Sequence, residues 1–291
     1  MSVVIITDST ADLTGREREE HGIGVVPLKT IFADGEYLDG IDLTPKQFYE
    51  KLAAAEQLPV TSQPSPAQFE EVFAPAVQAG DEVVAVLISG KISGTVQSAR
   101  IAAEAVGGGI HVVDSENTII GLRLLVYRAI ALRAQGLGAR EIARRLDGEK
   151  KQIRLHALVD TLEYLQKGGR VSKAVAFAGT LLGIKPRIAV AGGEVVVEGK
   201  ARGRQRGMEG VWKEVEKDGM DLSRPFALGY TGGDEGFEAF RLFVAGKLPG
   251  RAPMIGEIGS VVGTHVGPGA VAVAYFAPAG RLGENGEGQD T

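Results

Sequence analysis

Three apolar runs, residues 3–7, 83–88 and 110–114, are too short for helices and have little room for a polar face. Each breaks off in a polar turn: Thr7-Asp8-Ser9-Thr10, Ser89-Gly90-Lys91 and Asp114-Ser115. Helix-length segments separate them. Runs of this kind read as strands buried on both faces, and parallel strands need crossovers of about the length found here. The order β-α-α-β-α-β-α predicts an α/β fold whose first half is a mainly parallel sheet flanked by helices.

Several helix starts are written into the sequence. Thr44-Pro45-Lys46-Gln47 and Ser65-Pro66-Ala67-Gln68 are capping boxes with proline at the first helical position. Between them, Val25–Ile31 and Glu36–Leu38 read as short β pieces around a turn at Asp34-Gly35, and Val60–Gln63 as extended chain. "ENTIIGLRLLVYRAIALRAQG" is a long helix, apolar nearly all round and therefore buried. Near residue 150 the pattern changes. Residues 154–160 read as a strand, and Ile184–Ala191 with Glu194–Gly199 as a hairpin across Gly192-Gly193. Further strands lie near 225–230, 254–257 and 271–276, so the second half predicts a mixed sheet. A length of 291 residues is ample for two domains, placed at 1–153 and 154–278, with 279–291 as a disordered Gly- and Glu-rich tail.

Composition narrows the chemistry. The formal net charge is −5 with both signs interspersed, which argues against nucleic-acid binding. Without cysteine there are no disulfides, thiolate nucleophiles or Cys-based zinc sites. No histidine pair has metal-ligand spacing, so no metal is expected. His21, His111 and His156 read as structural. The beginning of the chain has no basic leader and no window resembles a membrane span, which reads as a soluble cytoplasmic protein.

Two hydroxyl-rich turns each feed directly into a helix start: Thr61-Ser62 with Ser65, and Ser93-Gly94-Thr95. Helix N-termini carry unpaired N–H groups and a positive dipole end, and the second turn follows a strand at its carboxyl end, where open α/β sheets place ligands. Together they suit a small anion, a phosphate or a carboxylate. The plainer reading is ordinary caps. His265 lies in a Gly-rich turn between apolar strands, as a donor to an anion, a proton shuttle or an ordinary loop residue. Asp8, Asp12, Asp39, Asp42 and Asp114 read as turn and cap residues before bases or metal ligands. The Gly-x-Ser-x-Gly elbow, the Walker A loop and the Gly-x-Gly-x-x-Gly loop are absent, although a hydrolase built on Ser93 and His265 stays open. Lys200, Arg202, Arg204 and Arg206 alternate, which on an extended segment puts them on one face, either solvated or docking an acidic partner.

The motifs "TDSTADL" (7–13), "TSQPSP" (61–66), "KISGTVQSA" (91–99), "VVDS" (112–115), "VDTLEYLQKGGRVS" (159–172), "LLGIKPRI" (181–188) and "GTHVGPGA" (263–270) occur in order. In this the chain resembles the DegV family of fatty-acid-binding proteins, over about residues 2–277. The resemblance implies two α/β domains with a lipid tunnel between them and one long-chain fatty acid as ligand, with no cofactor. It implies that Thr61, Ser93 and His265 bind the carboxylate, with Ser62, Gly94 and Thr95 adjoining. It further implies a non-catalytic subunit that presents the carboxylate to a separate fatty acid kinase catalytic subunit, docked through Arg202 with Arg204 beside it, and meets membranes transiently to exchange lipid. A stand-alone lipid carrier or sensor, a hydrolase and a small-molecule kinase of dihydroxyacetone-kinase type are the alternatives. Arg170 matches the motif without an assigned role.

Overall fold

The computed structural model describes residues 2–171 and 183–278. The expected tail at 279–291 and the motif residues Ser172, Leu181 and Leu182 lie outside the described residues. Both capping boxes close, with Thr44 and Ser65 each accepting from the N–H three residues on while Gln47 and Gln68 reach back. Thr14 and Glu17 form another.

Strands Ile23–Val26, Val3–Asp8, Glu82–Leu87 and Ile110–Asp114 form, in that order, a wholly parallel sheet. One face packs Phe69 and Phe73 of the Pro66–Gln78 helix and Val96 and Ala99 of the Thr95–Val106 helix onto Ile6, Val83, Ala85 and Leu87. The opposite face meets the Ile119–Ala134 helix. The second half gives a mixed sheet of six strands, antiparallel except where Ala227–Tyr230 pairs with Met254–Glu257. The same helix packs on it as well: Leu122, Leu125 and Val126 belong to one buried cluster with Val84 and Val86 of the first sheet and Leu155, Ala272 and Ala274 of the second. A helix apolar all round needs two such neighbours.

The stretch read as one β piece, Val25–Ile31, is divided. Ile23–Val26 joins the parallel sheet, while Lys29–Phe32 centres a small antiparallel sheet with Gly35–Leu38 and Val60–Ser62. Pro27 has no N–H for a ladder, and the next N–H, of Leu28, donates to Ser9 Oγ instead of a strand (3.1 Å). This small sheet pairs Thr61 with Thr30.

His156, in the Ile153–Leu158 strand, is 4% exposed. Its Nδ1 meets Glu198 at 3.0 Å and its Nε2 meets Asp218 at 3.1 Å, with the Tyr275 hydroxyl donating to the same Asp218. Burial pulls its pKa down, but the bonds to Asp218 and Glu198 override that and push it up to about 9. The fold therefore holds an imidazolium that ties two strands to the end of the Arg204–Asp218 helix. A histidine with a raised pKa stabilises fully below its ordinary value of about 6.5 and loses that contribution as pH rises through about 9. His156→Gln should cost on the order of 3 kcal/mol at pH 6, with the gap to wild type narrowing by pH 10. Thermal unfolding across that range measures it, and a gap independent of pH would mean that His156 acts through packing alone.

Candidate functional site

The site starts from a turn at the carboxyl edge of the parallel sheet. After the Glu82–Leu87 strand, the Ser89 carbonyl accepts from the N–H groups of Ile92 and Ser93, both at 3.0 Å, and folds the chain back into the Thr95–Val106 helix. Gly94 occupies the N-cap, where a Cβ would run into the Gln63 carboxamide. Glycine is needed there for close approach, because Gln63 lies across the helix start and donates through Nε2 to Ser98 Oγ (3.0 Å). Gln63 thus locks the Thr61 segment onto the Ser93 turn. Ser93 Oγ and Thr95 Oγ1 are 2.8 Å apart. Thr95 itself is fully buried, so it supports Ser93 from behind and does not line the cavity.

His265 corrects the sequence reading. It lies on a helix, Ser260–Val266, and not in a turn. Two carboxylates from the first half of the chain hold the start of that helix. Asp39 Oδ1 accepts from the N–H and the hydroxyl of Ser260 (2.8 and 2.7 Å), and Asp12 Oδ1 accepts from the Gly259 N–H (2.9 Å). Thr30 and Ser260 hydroxyls meet at 2.8 Å. Burial raises the Asp39 pKa, and burial together with Asp39 raises that of Asp12 well above the usual range. Anchored in this way, His265 places Nε2 2.9 Å from Thr61 Oγ1. Burial, and then the nearby Arg170 guanidinium, lower its pKa to about 4, so the ring is neutral at neutral pH. Its Nδ1 is buried without a hydrogen-bond partner among the described residues, and it packs so tightly on Gly168 that a Cβ there would strike it.

Thr61, Ser62, Gln63, Ser93, Gly94 and His265 line one end of a cavity of about 550 Å³, with the exposed Arg170 beside them. The remaining wall is mostly aliphatic: Leu155 and Ile188 come from the six-stranded sheet, Ile88 follows the Glu82–Leu87 strand, and Leu28, Ile119 and Val261 come from the connecting segments and helices. The tip of the second-half hairpin is fastened to the same turn, with the Ser89 hydroxyl donating to the Gly193 carbonyl at 2.7 Å. Five of the expected site residues therefore share a cavity, and Thr95 stands behind them. Gln63 lies within "TSQPSP", and its role depends on a contact with Gly94 that spacing alone does not reveal.

The basic stripe does not form as expected. Glu194–Arg202 is a strand, but Gly203 turns at φ +84° and a helix begins at Arg204. Alternation on one face ends there. Arg202 is exposed at the strand end, whereas Arg204 turns inward, donating to the Gly269 carbonyl (2.9 Å) and to Asp160 (3.3 Å). Arg204 Nη1 is thus engaged within the chain, while its Nε and Nη2 are buried without a hydrogen-bond partner among the described residues. The hydrolase alternative is not assembled either. Ser93 bonds to Thr95, His265 bonds to Thr61, and no carboxylate among the described residues backs Nδ1 as a base-orienting group. Among the described residues no group of His, Asp or Glu side chains could hold a metal ion, and no helix is long and apolar enough to cross a membrane.

The residue pattern of the DegV family, described as uncharacterised, matches residues 2–278. A DegV domain-containing protein of Deinococcus radiodurans is 40% identical over 278 residues, covering 94% of this chain and 98% of its own. A fatty-acid-binding DegV family protein of Thermus thermophilus superposes with a TM-score of 0.87 at 33% identity, over 96% of this chain and 100% of that one. A stearic acid-binding protein of Eubacterium ventriosum does so with a TM-score of 0.84 at 28% identity, over 95% and 98%. The family pattern spans both sheets and every segment of the cavity just described, and on that extent the chain belongs to the DegV family.

Proposed function

We propose that this protein binds a long-chain fatty acid, with the chain in the aliphatic cavity and the carboxylate on Thr61, Ser93 and His265. The observation that carries the reading is the pairing of a group of neutral donors with a mostly aliphatic wall drawn from both halves of the chain. A phosphate site would be expected to use Lys or Arg clamps; here both cations on the lining, Lys91 and Arg170, are exposed, and Lys91 faces Glu194 at 3.6 Å. Burying each methylene is worth about 0.8 kcal/mol, so roughly 15 of them give about 12 kcal/mol before association costs. The tail supplies the affinity and the head group the orientation. The bound fatty acids of DegV relatives support the same ligand class here.

The finer reading is presentation. Two α/β halves, 1–153 and 154–278, enclose the chain and leave the carboxylate within reach of a separate ATP-dependent fatty acid kinase, which makes the acyl phosphate. Neutral hydroxyls and a neutral imidazole suit both carboxylate and acyl phosphate without over-binding the second. Arg202, exposed beside Gly203, is the docking contact; Arg204 is a scaffold for the Gly269 turn. Lipid is loaded during brief contact with a membrane, in the cytoplasm.

Native mass spectrometry followed by lipid extraction should find a co-purified acyl chain in the purified protein; an empty protein that also refuses stearate would sink the reading. Thr61→Ala or Ser93→Ala should slow acyl phosphate formation by a supplied fatty acid kinase at least tenfold while changing stearate affinity only a few-fold, as expected where a net of about 0.5–1 kcal/mol of head-group bonding is lost from a tail-dominated ligand. Arg202→Ala should leave stearate affinity intact and weaken binding to the kinase. Loss of stearate from that variant would remove Arg202 from the docking role.

A further inference from the structure

One hydroxyl on the cavity wall is left over by the carboxylate group. Thr118 lines the cavity, is 6% exposed, and its Oγ1 is buried without a hydrogen-bond partner among the described residues. Its position makes this unusual. Thr118 is the N-cap of the Ile119–Ala134 helix, where a threonine hydroxyl ordinarily accepts from an N–H of the first turn; this one makes no such bond. Asn117 has taken over at the helix start. Its Oδ1 accepts from the Thr118 N–H (3.1 Å) and lies over Gly121 so closely that a Cβ there would collide with it. The Asn117 carbonyl accepts from the Ser89 N–H (2.8 Å) and from the Ser115 hydroxyl (3.1 Å). Thr118 is therefore fixed to the strand end that launches the Ser93 turn, and it lines the cavity with a hydroxyl free of capping duty. Ile88 and Ile119, which line the same cavity, have no polar side chain to offer it.

A plain hydrocarbon laid over Thr118 would leave its hydroxyl buried and unpaired, an unfavourable arrangement that an apolar residue of the same shape would avoid. Resting on the fatty-acid reading, we propose that Thr118 reads an oxygen on the acyl chain, so that the preferred ligand class is a long-chain fatty acid bearing an internal hydroxyl or oxo group. A threonine hydroxyl both donates and accepts, so it can serve either group. A carbon–carbon double bond offers only a weak acceptor and is the poorer match.

The test is calorimetric titration of the delipidated full chain with stearate, oleate and a series of hydroxystearates whose hydroxyl is moved from the carboxyl end to mid-chain. Wild type should bind at least one hydroxystearate about tenfold more tightly than stearate, the size of one added buried hydrogen bond. Thr118→Val, nearly the same shape, should erase that preference and bind stearate at least as well as wild type; Thr118→Ser should keep the preference. The proposal is overturned if every hydroxystearate binds wild type no better than stearate, if the valine variant keeps the preference, or if the preference it erases is for oleate. Should none of the acids bind wild type, the fatty-acid reading itself fails, an outcome separate from any of these.

Discussion

The Ile119–Ala134 helix buries its apolar side chains against two sheets at once, and the rest of the molecule is arranged around that fact. Leu122, Leu124, Leu125, Val126 and Leu132 are all close to fully buried. At roughly 1.5–3 kcal/mol for each such side chain, this one helix supplies a large share of what joins the halves. Its one deeply buried charge, Arg123, is paired with Glu17 and donates to the Asp12 carbonyl, so the helix carries no uncompensated ion into the core. The cavity opens at the N-terminal end of this helix, where Thr118 and Ile119 line it. Because both sheets pack on the same helix, residues from sequence-distant turns reach one cavity with little freedom to drift.

The carboxylates Asp12 and Asp39 perform the same task at finer scale. Burial raises the pKa of both, which means that the ionised forms are unfavourable where they sit. What they gain is the start of the His265 helix: three N–H or O–H groups of Gly259 and Ser260 point at them. A seven-residue helix is too short to hold its own place. Fixing its first turn from the other half of the chain is what brings His265 to Thr61. Asp8 belongs to the same corner; burial pushes its pKa up to about 6, and it ties the first strand to the Ile88 N–H.

The parallel sheet, the two capping boxes and the buried central helix were legible in the sequence because each rests on local signals: unbroken apolar runs, Ser/Thr-x-x-Gln spacing and apolar residues on every side of a helix. The small antiparallel sheet was not. Its Lys29–Phe32 strand pairs with Val60–Ser62 across a long separation, and the break at Pro27 looks like a continuation when read as propensity alone. "GSVVGTHVGPG" reads as a turn because glycines bound it on both sides, yet the carboxylates from elsewhere make it a helix. The residues that meet in the cavity, Thr61, Ser62, Ser93, Gly94 and His265, could be named one by one from their motifs. Gln63 and Thr118 could not, since each matters through what it does or does not touch.

Those contacts also decide which chemistry the site is built for. A nucleophilic serine needs a base bonded to it and a third group behind the base. Here the imidazole is spent on Thr61, its far nitrogen meets no acid among the described residues, and Ser93 shares its hydroxyl with Thr95. Burial and Arg170 keep the ring neutral, so this part of the cavity offers a neutral set of donors with two exposed cations, Lys91 and Arg170, also on the lining. On the fatty-acid reading proposed above, such a set orients a carboxylate and lets it go. The buried carboxylates Asp12 and Asp39, whose pKa values burial raises, stand under the start of the Ser260–Val266 helix as struts and away from Ser93 and Thr61 in the hydrogen-bond network.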